Sequence, residues 1–155
     1  MPLSLEHFKM LSAKPSSLER GTGGTPEISF HEVADLLARV EYPVSIYARY
    51  VYARQRGLSK TLVKLLVDKL KPKRLDITPK YYFQIAELAI RVSQADYPLT
   101  NSQKAFAIGS TWWTRKNENL YRDALSLLDE WDFELRVAIK KWNEGHPAWL
   151  TDHQS

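Results

Sequence analysis

The sequence predicts a small all-helical protein with a flexible N-terminal arm and a long C-terminal helix. Apolar residues recur three and four positions apart from residue 30 onwards, and capping residues and prolines separate these segments. No segment alternates in the manner of a β-strand. Residues 1–28 lack any period and are rich in Pro, Gly and Ser. We therefore expect an arm over residues 1–28 and a single helical domain over residues 29–155.

Local signals mark each predicted helix in turn. Within the arm, only residues 5–11 form a short amphipathic piece. Ser29 and Glu32 form a capping box for the first helix of the domain, and Pro43 begins the second, where its missing N–H costs nothing. Ser59 caps a third helix, which ends before Pro72. The pair 78–79, Thr-Pro, opens a fourth helix by the same rule, and its inward side is predicted to carry Tyr82, Ile85, Ala86, Ala89 and Val92.

The C-terminal third has the outline of a helix-turn-helix at about residues 100–120. Thr100 or Asn101 caps a short helix, Gly109 breaks it, and Ser110 caps a long helix that runs to about Trp142. A recognition helix presents small polar groups and donors at its start, where the helix dipole also attracts phosphate. Arg115 is the candidate for base-edge contact, and Lys104 for phosphate contact. The predicted DNA-binding residues are Asn101, Lys104, Ser110, Thr111, Trp112, Thr114, Arg115 and Lys116.

Charge is unevenly distributed although the net charge is only +4. Between residues 46 and 80, ten basic residues face two acidic ones, whereas six acidic residues face one arginine between residues 117 and 134. This segregation indicates that one surface binds a polyanion and another binds a protein. The alternative is that the charges simply form solvated helix faces. The predicted basic nucleic-acid patch comprises Arg54, Arg56, Lys60, Lys64, Lys69, Lys71, Lys73 and Arg74.

Composition excludes several classes of site. The chain has no cysteine, so it cannot form a disulfide, a thiol nucleophile or a Cys-ligated metal centre. The four histidines lie far apart, so we expect no metal, no cofactor and no enzymatic activity. No apolar run approaches the roughly 18 residues that cross a bilayer, and charged residues interrupt the N-terminus early. We expect a cytoplasmic protein that does not bind membranes.

Short motifs at both ends and in the middle of the chain resemble one family. They are Ser-Thr-Trp-Trp-Thr-Arg at 110–115, Leu-Tyr-Arg-Asp-Ala-Leu at 120–125, Ala-Asp-Tyr at 95–97, and Leu5-Glu6, Lys9, Ser12 and Lys14. In this order they resemble the Q-type late-gene antitermination proteins of lambdoid phages. The family has one residue between the Tyr and the Ala of the second motif, whereas this chain has two between Tyr121 and Ala124. It also lacks the zinc-binding insertion, so it resembles the compact members.

The resemblance implies a mechanism without covalent chemistry. Q-type proteins bind a DNA element at a late promoter, load onto paused RNA polymerase that still holds sigma, and make it read through terminators. The implied partners are double-stranded DNA and bacterial RNA polymerase, with nascent RNA as a further candidate, and the factor acts as a monomer or in more than one copy on DNA. The acidic stretch then supplies the candidate polymerase contacts, Asp129, Glu130 and Asp132.

Three other functions remain open from the sequence alone. A conventional helix-turn-helix regulator would share the DNA contacts and could dimerise through the last helix. A virion structural or adaptor protein would use the five tryptophans for packing. A Mg2+ nuclease would need Asp129, Glu130, Asp132 and Glu134 to converge, but these positions point around a helix. Trp113, Tyr121 and Trp131 are expected in the core, whereas Trp142 and Trp149 could pack on the domain or contact a partner.

Overall fold

The computed structural model describes residues 2–12, 30–71, 77, 79–94, 99–109, 111 and 113–145, and each regular element within these ranges is a helix. The all-helical prediction is therefore confirmed. A 3-10 helix over Leu5–Ser12 comes first. The α-helices that follow are α1 (Phe30–Arg39), α2 (Tyr42–Val51), α3 (Ser59–Leu70), α4 (Pro79–Ser93), α5 (Asn101–Ala107) and α6 (Arg115–Glu144).

Capping residues set several helix starts close to the predicted positions. Pro43 lies in the first turn of α2, and α4 begins at Pro79. Thr100 and Gln103 form a capping box at α5, because the Thr100 hydroxyl accepts from the Gln103 N–H at 3.2 Å and the Gln103 side chain accepts from the Thr100 N–H at 2.8 Å. Ser29, the predicted cap of α1, lies outside the described residues.

The long helix α6 begins at Arg115, so the predicted start at Ser110 is wrong. Thr114 is the capping residue, because its hydroxyl accepts the Asn117 N–H at 3.2 Å. Gly109 adopts φ 71°, as the predicted turn requires, but the connection continues to residue 114. The hairpin of α5 and α6 therefore has a longer connection than the short-turned helix-turn-helix that the sequence suggests. Ser110 itself lies outside the described residues.

The chain divides into two compact units, and the boundary falls inside α6. Met1–Leu58 and Trp131–Ser155 form the terminal unit, and Ser59–Glu130 form the central unit. The first half of α6 thus belongs to the central unit and its second half to the terminal unit. This division differs from the predicted arm followed by a single domain over residues 29–155.

The start of the chain is part of the terminal unit, so the predicted flexible arm needs correction at residues 2–12. The 3-10 helix packs against α1 and α2, and Phe8 is fully buried. Leu3 and Asn143 exchange two hydrogen bonds: the Leu3 N–H donates to Oδ1 at 2.9 Å, and the Asn143 amide donates to the Leu3 carbonyl at 3.0 Å. Burying a Phe side chain stabilises by about 1.5–3 kcal/mol, so Phe8 and the two hydrogen bonds of Leu3 together help to hold this segment on the terminal unit. Residues 13–28 of the predicted arm lie outside the described residues.

The core of the central unit comes from helices that the predicted stripes identify well. Helix α3 packs against α4, and α4 contacts α5. Leu62, Leu66 and Ile85 are fully buried, as their helical spacing predicts. The first half of α6 adds Leu120 and Leu128 to the buried set. This core fixes the position of the α5–α6 hairpin within the unit.

Candidate nucleic-acid interface

One carboxylate, that of Glu118, ties α5 to the beginning of α6. The Lys104 ammonium lies 3.1 and 3.3 Å from the two Glu118 oxygens, and the Arg122 Nε donates at 3.2 Å. The Trp113 indole N–H donates to the same carboxylate. Glu118 therefore holds together donors from α5, from the connection and from α6 itself. This Glu118 cluster fixes the geometry of the α6 N-terminus.

Two aromatic rings complete the surroundings of Lys104. Its ammonium lies 4.7 Å from the centre of the Tyr121 ring and 5.6 Å from that of Trp113, and the two rings meet edge to face at 5.8 Å. Only 11% of the Lys104 side chain is exposed. The predicted phosphate contact at Lys104 therefore needs correction, because its ammonium is buried and already has an anionic partner. The expectation that Trp113 and Tyr121 pack inward agrees with this placement.

The Glu118 carboxyl remains ionised under ordinary conditions. Burial alone raises its pKa, but the hydrogen bonds from Trp113, Lys104 and Arg122 together lower it below its usual value. Burial and the Glu118 charge both raise the pKa of Tyr121, which keeps that ring neutral. The cluster is thus an ion pair at neutral pH, with the hydrogen-bonded carboxylate as its centre.

The first turn of α6 presents the predicted polar and basic side chains to solvent. Thr114, Arg115 and Lys116 are exposed, and so are Thr111 in the connection and Asn101 at the start of α5. The unsatisfied N–H groups and the dipole of α6 add a positive field at this end of a 30-residue helix. Trp112, the other residue predicted here, lies outside the described residues. Five of the eight predicted DNA-binding residues are therefore exposed in the α5–α6 hairpin.

The predicted basic patch is divided between the two units. Arg54 and Arg56 belong to the terminal unit, where Arg56 lies 4.9 Å from the centre of the Tyr50 ring. Lys60, Lys64, Lys69 and Lys71 are exposed on and just after α3 in the central unit. Lys73 and Arg74 lie outside the described residues. The part of the patch that shares a unit with the α5–α6 hairpin is therefore the lysine set of α3.

Two exposed phenylalanines of the central unit were missed by the sequence reasoning. Phe83 on α4 is 44% exposed and Phe106 on α5 is 89% exposed. The sequence does carry a signal for Phe83, since it falls off the inward stripe predicted for α4. Both rings are therefore accessible to a ligand from solvent.

The acidic candidates separate into two exposed residues and one structural residue. Asp129 and Glu130 are exposed in the central unit, whereas Asp132 belongs to the terminal unit. Asp132 accepts from the Tyr47 hydroxyl at 3.0 Å, from the Tyr52 hydroxyl, and from Arg136 Nε at 2.7 Å. Its prediction as a polymerase contact needs correction, because the side chain is only 22% exposed and its oxygens are occupied by these donors.

The Asp132 network shifts several ionisation constants. Burial raises the pKa of Asp132, but the hydrogen bonds from Arg136, Tyr52 and Tyr47 outweigh burial and hold it below its usual value. Burial, followed by the hydrogen bond to Asp132, raises the pKa of Tyr52. The Asp132 hydrogen bond raises that of Arg136. This network fastens α2 to the second half of α6 within the terminal unit.

The described residues include neither a cluster of metal ligands nor a membrane-spanning helix. They contain no group of three or more His, Asp or Glu side chains placed to hold a metal ion. None of their helices combines the length and the apolar character needed to cross a bilayer.

Known proteins give no further guide to this arrangement. No family model, curated protein or solved structure matches the chain. The α5–α6 hairpin and the charges around it are therefore the structural features that bear on nucleic-acid binding.

Proposed function

We propose that the chain is a DNA-binding transcription antitermination factor that acts in the cytoplasm of a bacterial host. In this proposal it binds a duplex element at a phage late promoter and loads onto paused RNA polymerase that still holds sigma. It then stays with the enzyme as it reads through terminators. The factor makes and breaks no covalent bond, and it uses no cofactor.

The observation that carries the DNA-binding part is the exposed, rigidly held first turn of α6. Thr114 caps the helix, and the Glu118 cluster locks α5 against it. Arg115 and Lys116 are thereby presented at the positive end of the helix dipole. Such a preordered turn meets DNA without further loss of backbone entropy, which favours tight and specific contact.

Different groups of this turn suit the phosphate backbone, which positions the protein, and the base edges, which carry the DNA sequence. The first N–H groups of α6 and the hydroxyls of Thr111 and Thr114 suit phosphate oxygens. Arg115 suits the bidentate acceptors of a guanine in the major groove. The α3 lysines add an attraction that depends on salt but not on sequence. Together these parts support a specific duplex-binding protein.

The antitermination part depends on the resemblance to the Q-type proteins. The motifs that carry it include Thr-Arg at 114–115 and Leu-Tyr at 120–121, which lie in the same hairpin. In this proposal Asp129 and Glu130 contact polymerase, since DNA phosphates would repel them. Asp129 lies 14 residues beyond Arg115 on one helix, or roughly 21 Å along its axis, and Glu130 follows it.

Selection from a random duplex pool, followed by affinity measurements, tests the DNA-binding part. We expect the protein to enrich a defined element, and Arg115→Ala to weaken binding to it by about 1–3 kcal/mol, the usual worth of a base-edge arginine contact. Lys140→Ala is the matched control, because it removes one exposed positive charge from the far end of the same helix.

Two results would refute this part of the proposal. One is a folded Arg115→Ala protein that binds the selected element as tightly as the wild type. The other is a pool that yields no element above non-specific binding.

A further inference from the structure

A basic–aromatic patch lies where α3 ends and α4 begins. We define it by Lys71, Lys80, Tyr81 and Phe83, all in the central unit. The Lys71 ammonium lies 5.8 Å from the centre of the Phe83 ring, and the Lys80 ammonium lies 5.1 Å from that of Tyr81. Each of the two aromatic rings therefore has a lysine ammonium beside it.

Phe83 is the unusual member of the basic–aromatic patch. The neighbouring Tyr82 and the inward Ile85 and Ala86 are buried, whereas Phe83, at the edge of this buried face, is 44% exposed. Lys80 precedes it by three residues and is exposed as well. Nearly half of the Phe83 surface remains exposed, so part of the ring is available to stack against a ligand.

A row of lysines on α3 leads towards the Phe83 ring. Lys60 and Lys64 are exposed one turn apart on α3, and the exposed Lys71 directly follows the end of that helix. Asp68 lies on the same side, between Lys64 and Lys71. The row is roughly 16 Å long at 1.5 Å per residue. Asp68 and Glu87 are the acidic side chains of α3 and α4, so positive charge predominates on both helices.

We propose that the basic–aromatic patch binds single-stranded nucleic acid, with an unpaired base stacked on Phe83 and the phosphates following the lysine row. Single strands combine the two features that this surface complements, since each nucleotide carries a negative charge and an exposed ring face. A duplex offers the charge but keeps its base faces stacked inside. Single-stranded DNA and RNA share this chemistry, and the site is separate from the duplex contact at the start of α6.

Fluorescence anisotropy with labelled homopolymers tests the proposal on the full chain. The probes are oligo(dT) and oligo(U) of about 12 nucleotides, within the usual site size, and an abasic strand of equal charge. We expect Phe83→Ala to weaken binding of both base-bearing strands by about 5- to 20-fold and to leave the abasic strand unaffected. Phe83→Trp should retain the affinity, because it preserves a stacking surface.

Matched variants separate stacking from other roles of the ring. Phe83→Leu keeps an apolar side chain without a ring and should bind like Phe83→Ala. Phe133→Ala, which removes an exposed phenylalanine from the terminal unit, should bind like the wild type. Equal affinity for oligo(dT) and oligo(U) identifies the base as the ligand, whereas a preference for oligo(U) identifies RNA. Either result supports the proposal if the binding requires an aromatic residue at position 83.

The proposal is overturned if neither homopolymer binds, or if Phe83→Ala or Phe83→Leu binds them like the wild type. It is also overturned if the abasic strand loses as much affinity as the others. The duplex affinity that depends on Arg115 is measured in parallel on the same proteins. Loss of one activity without the other shows which of the two proposed sites has failed.

Discussion

Replacing Glu118 by alanine removes the acceptor on which the α5–α6 hairpin depends. In this variant the Lys104 ammonium, only 11% exposed, remains between two rings without its anionic partner. The Trp113 indole N–H loses its acceptor as well. The Arg122 pair is removed too, but its guanidinium side chain is 74% exposed and contributes little.

The expected destabilisation follows from these three changes. A hydrogen bond to a charged group is worth about 1.5–3 kcal/mol, and a buried donor without a partner costs about 1–3 kcal/mol. The exposed Arg122 pair adds about 0.3–0.5 kcal/mol. The three effects are not additive, because Lys104 keeps its place beside the rings and can turn partly towards water. We therefore expect Glu118→Ala to lower the free energy of unfolding by about 3 kcal/mol.

Urea unfolding followed by far-UV circular dichroism measures this change. Glu130→Ala is the matched control, since it removes an exposed glutamate from the same helix, and should stay within about 0.5 kcal/mol of the wild type. The double variant Lys104→Met with Glu118→Gln neutralises both partners. It should recover most of the lost stability, because methionine fits between the rings and glutamine still accepts from Trp113.

Two outcomes would contradict this reasoning. A destabilisation below about 1 kcal/mol in Glu118→Ala would mean that the cluster does not hold the hairpin. A double variant that is stable but binds the selected duplex tenfold more weakly would return Lys104 to the phosphate-binding residues. Unchanged duplex affinity in that variant supports the structural role assigned to Lys104.

The remaining predictions concern charge and pH. Changing Lys60, Lys64, Lys69 and Lys71 to Glu should flatten the slope of log affinity against log salt, by roughly 0.9 for each phosphate that the protein no longer neutralises, and an unchanged slope would make these lysines a solvated face. Asp129→Lys with Glu130→Lys should keep or slightly tighten duplex binding while lowering read-through, and read-through that simply follows DNA affinity would exclude a separate polymerase surface here. Folding lowers the pKa values of Glu118 and Asp132, so both carboxylates stabilise the fold above about pH 4, the usual pKa of these groups in an unfolded chain. This stabilisation is lost as the pH falls through their pKa values in the folded protein. Acid unfolding of Asp132→Asn should therefore depend less on pH than that of the wild type, and an equal dependence would contradict the assignment.

Local sequence signals predict most of the fold. Helical periodicity identifies the buried faces of α3 and α4, because it reports directly on which side chains meet the core. The cap at Thr100 and the helix start at Pro79 are predicted correctly, since both residues act through the backbone of their own helix. These elements need no knowledge of distant residues.

The errors arise where distant residues decide the outcome. Ser110 has the chemistry of a cap, but the long helix starts later because Thr114 caps it and Trp113 donates to Glu118. The composition of the N-terminus predicts an arm, but Phe8 is buried in the terminal unit and the Leu3–Asn143 pair binds the first residues to the end of α6. Lys104 and Asp132 look like surface charges, and only tertiary contacts reveal their buried partners.

Terminator read-through in a purified transcription system tests the antitermination proposal most directly. The template carries a promoter flanked by the selected element and followed by a terminator, and the polymerase is the sigma-containing holoenzyme of the host. We predict that the protein raises read-through only when the element is present, and that Arg115→Ala abolishes the effect while Lys140→Ala does not. A protein that binds the element and changes initiation, but leaves the fraction of transcripts passing the terminator unchanged, is a conventional regulator and contradicts the proposal.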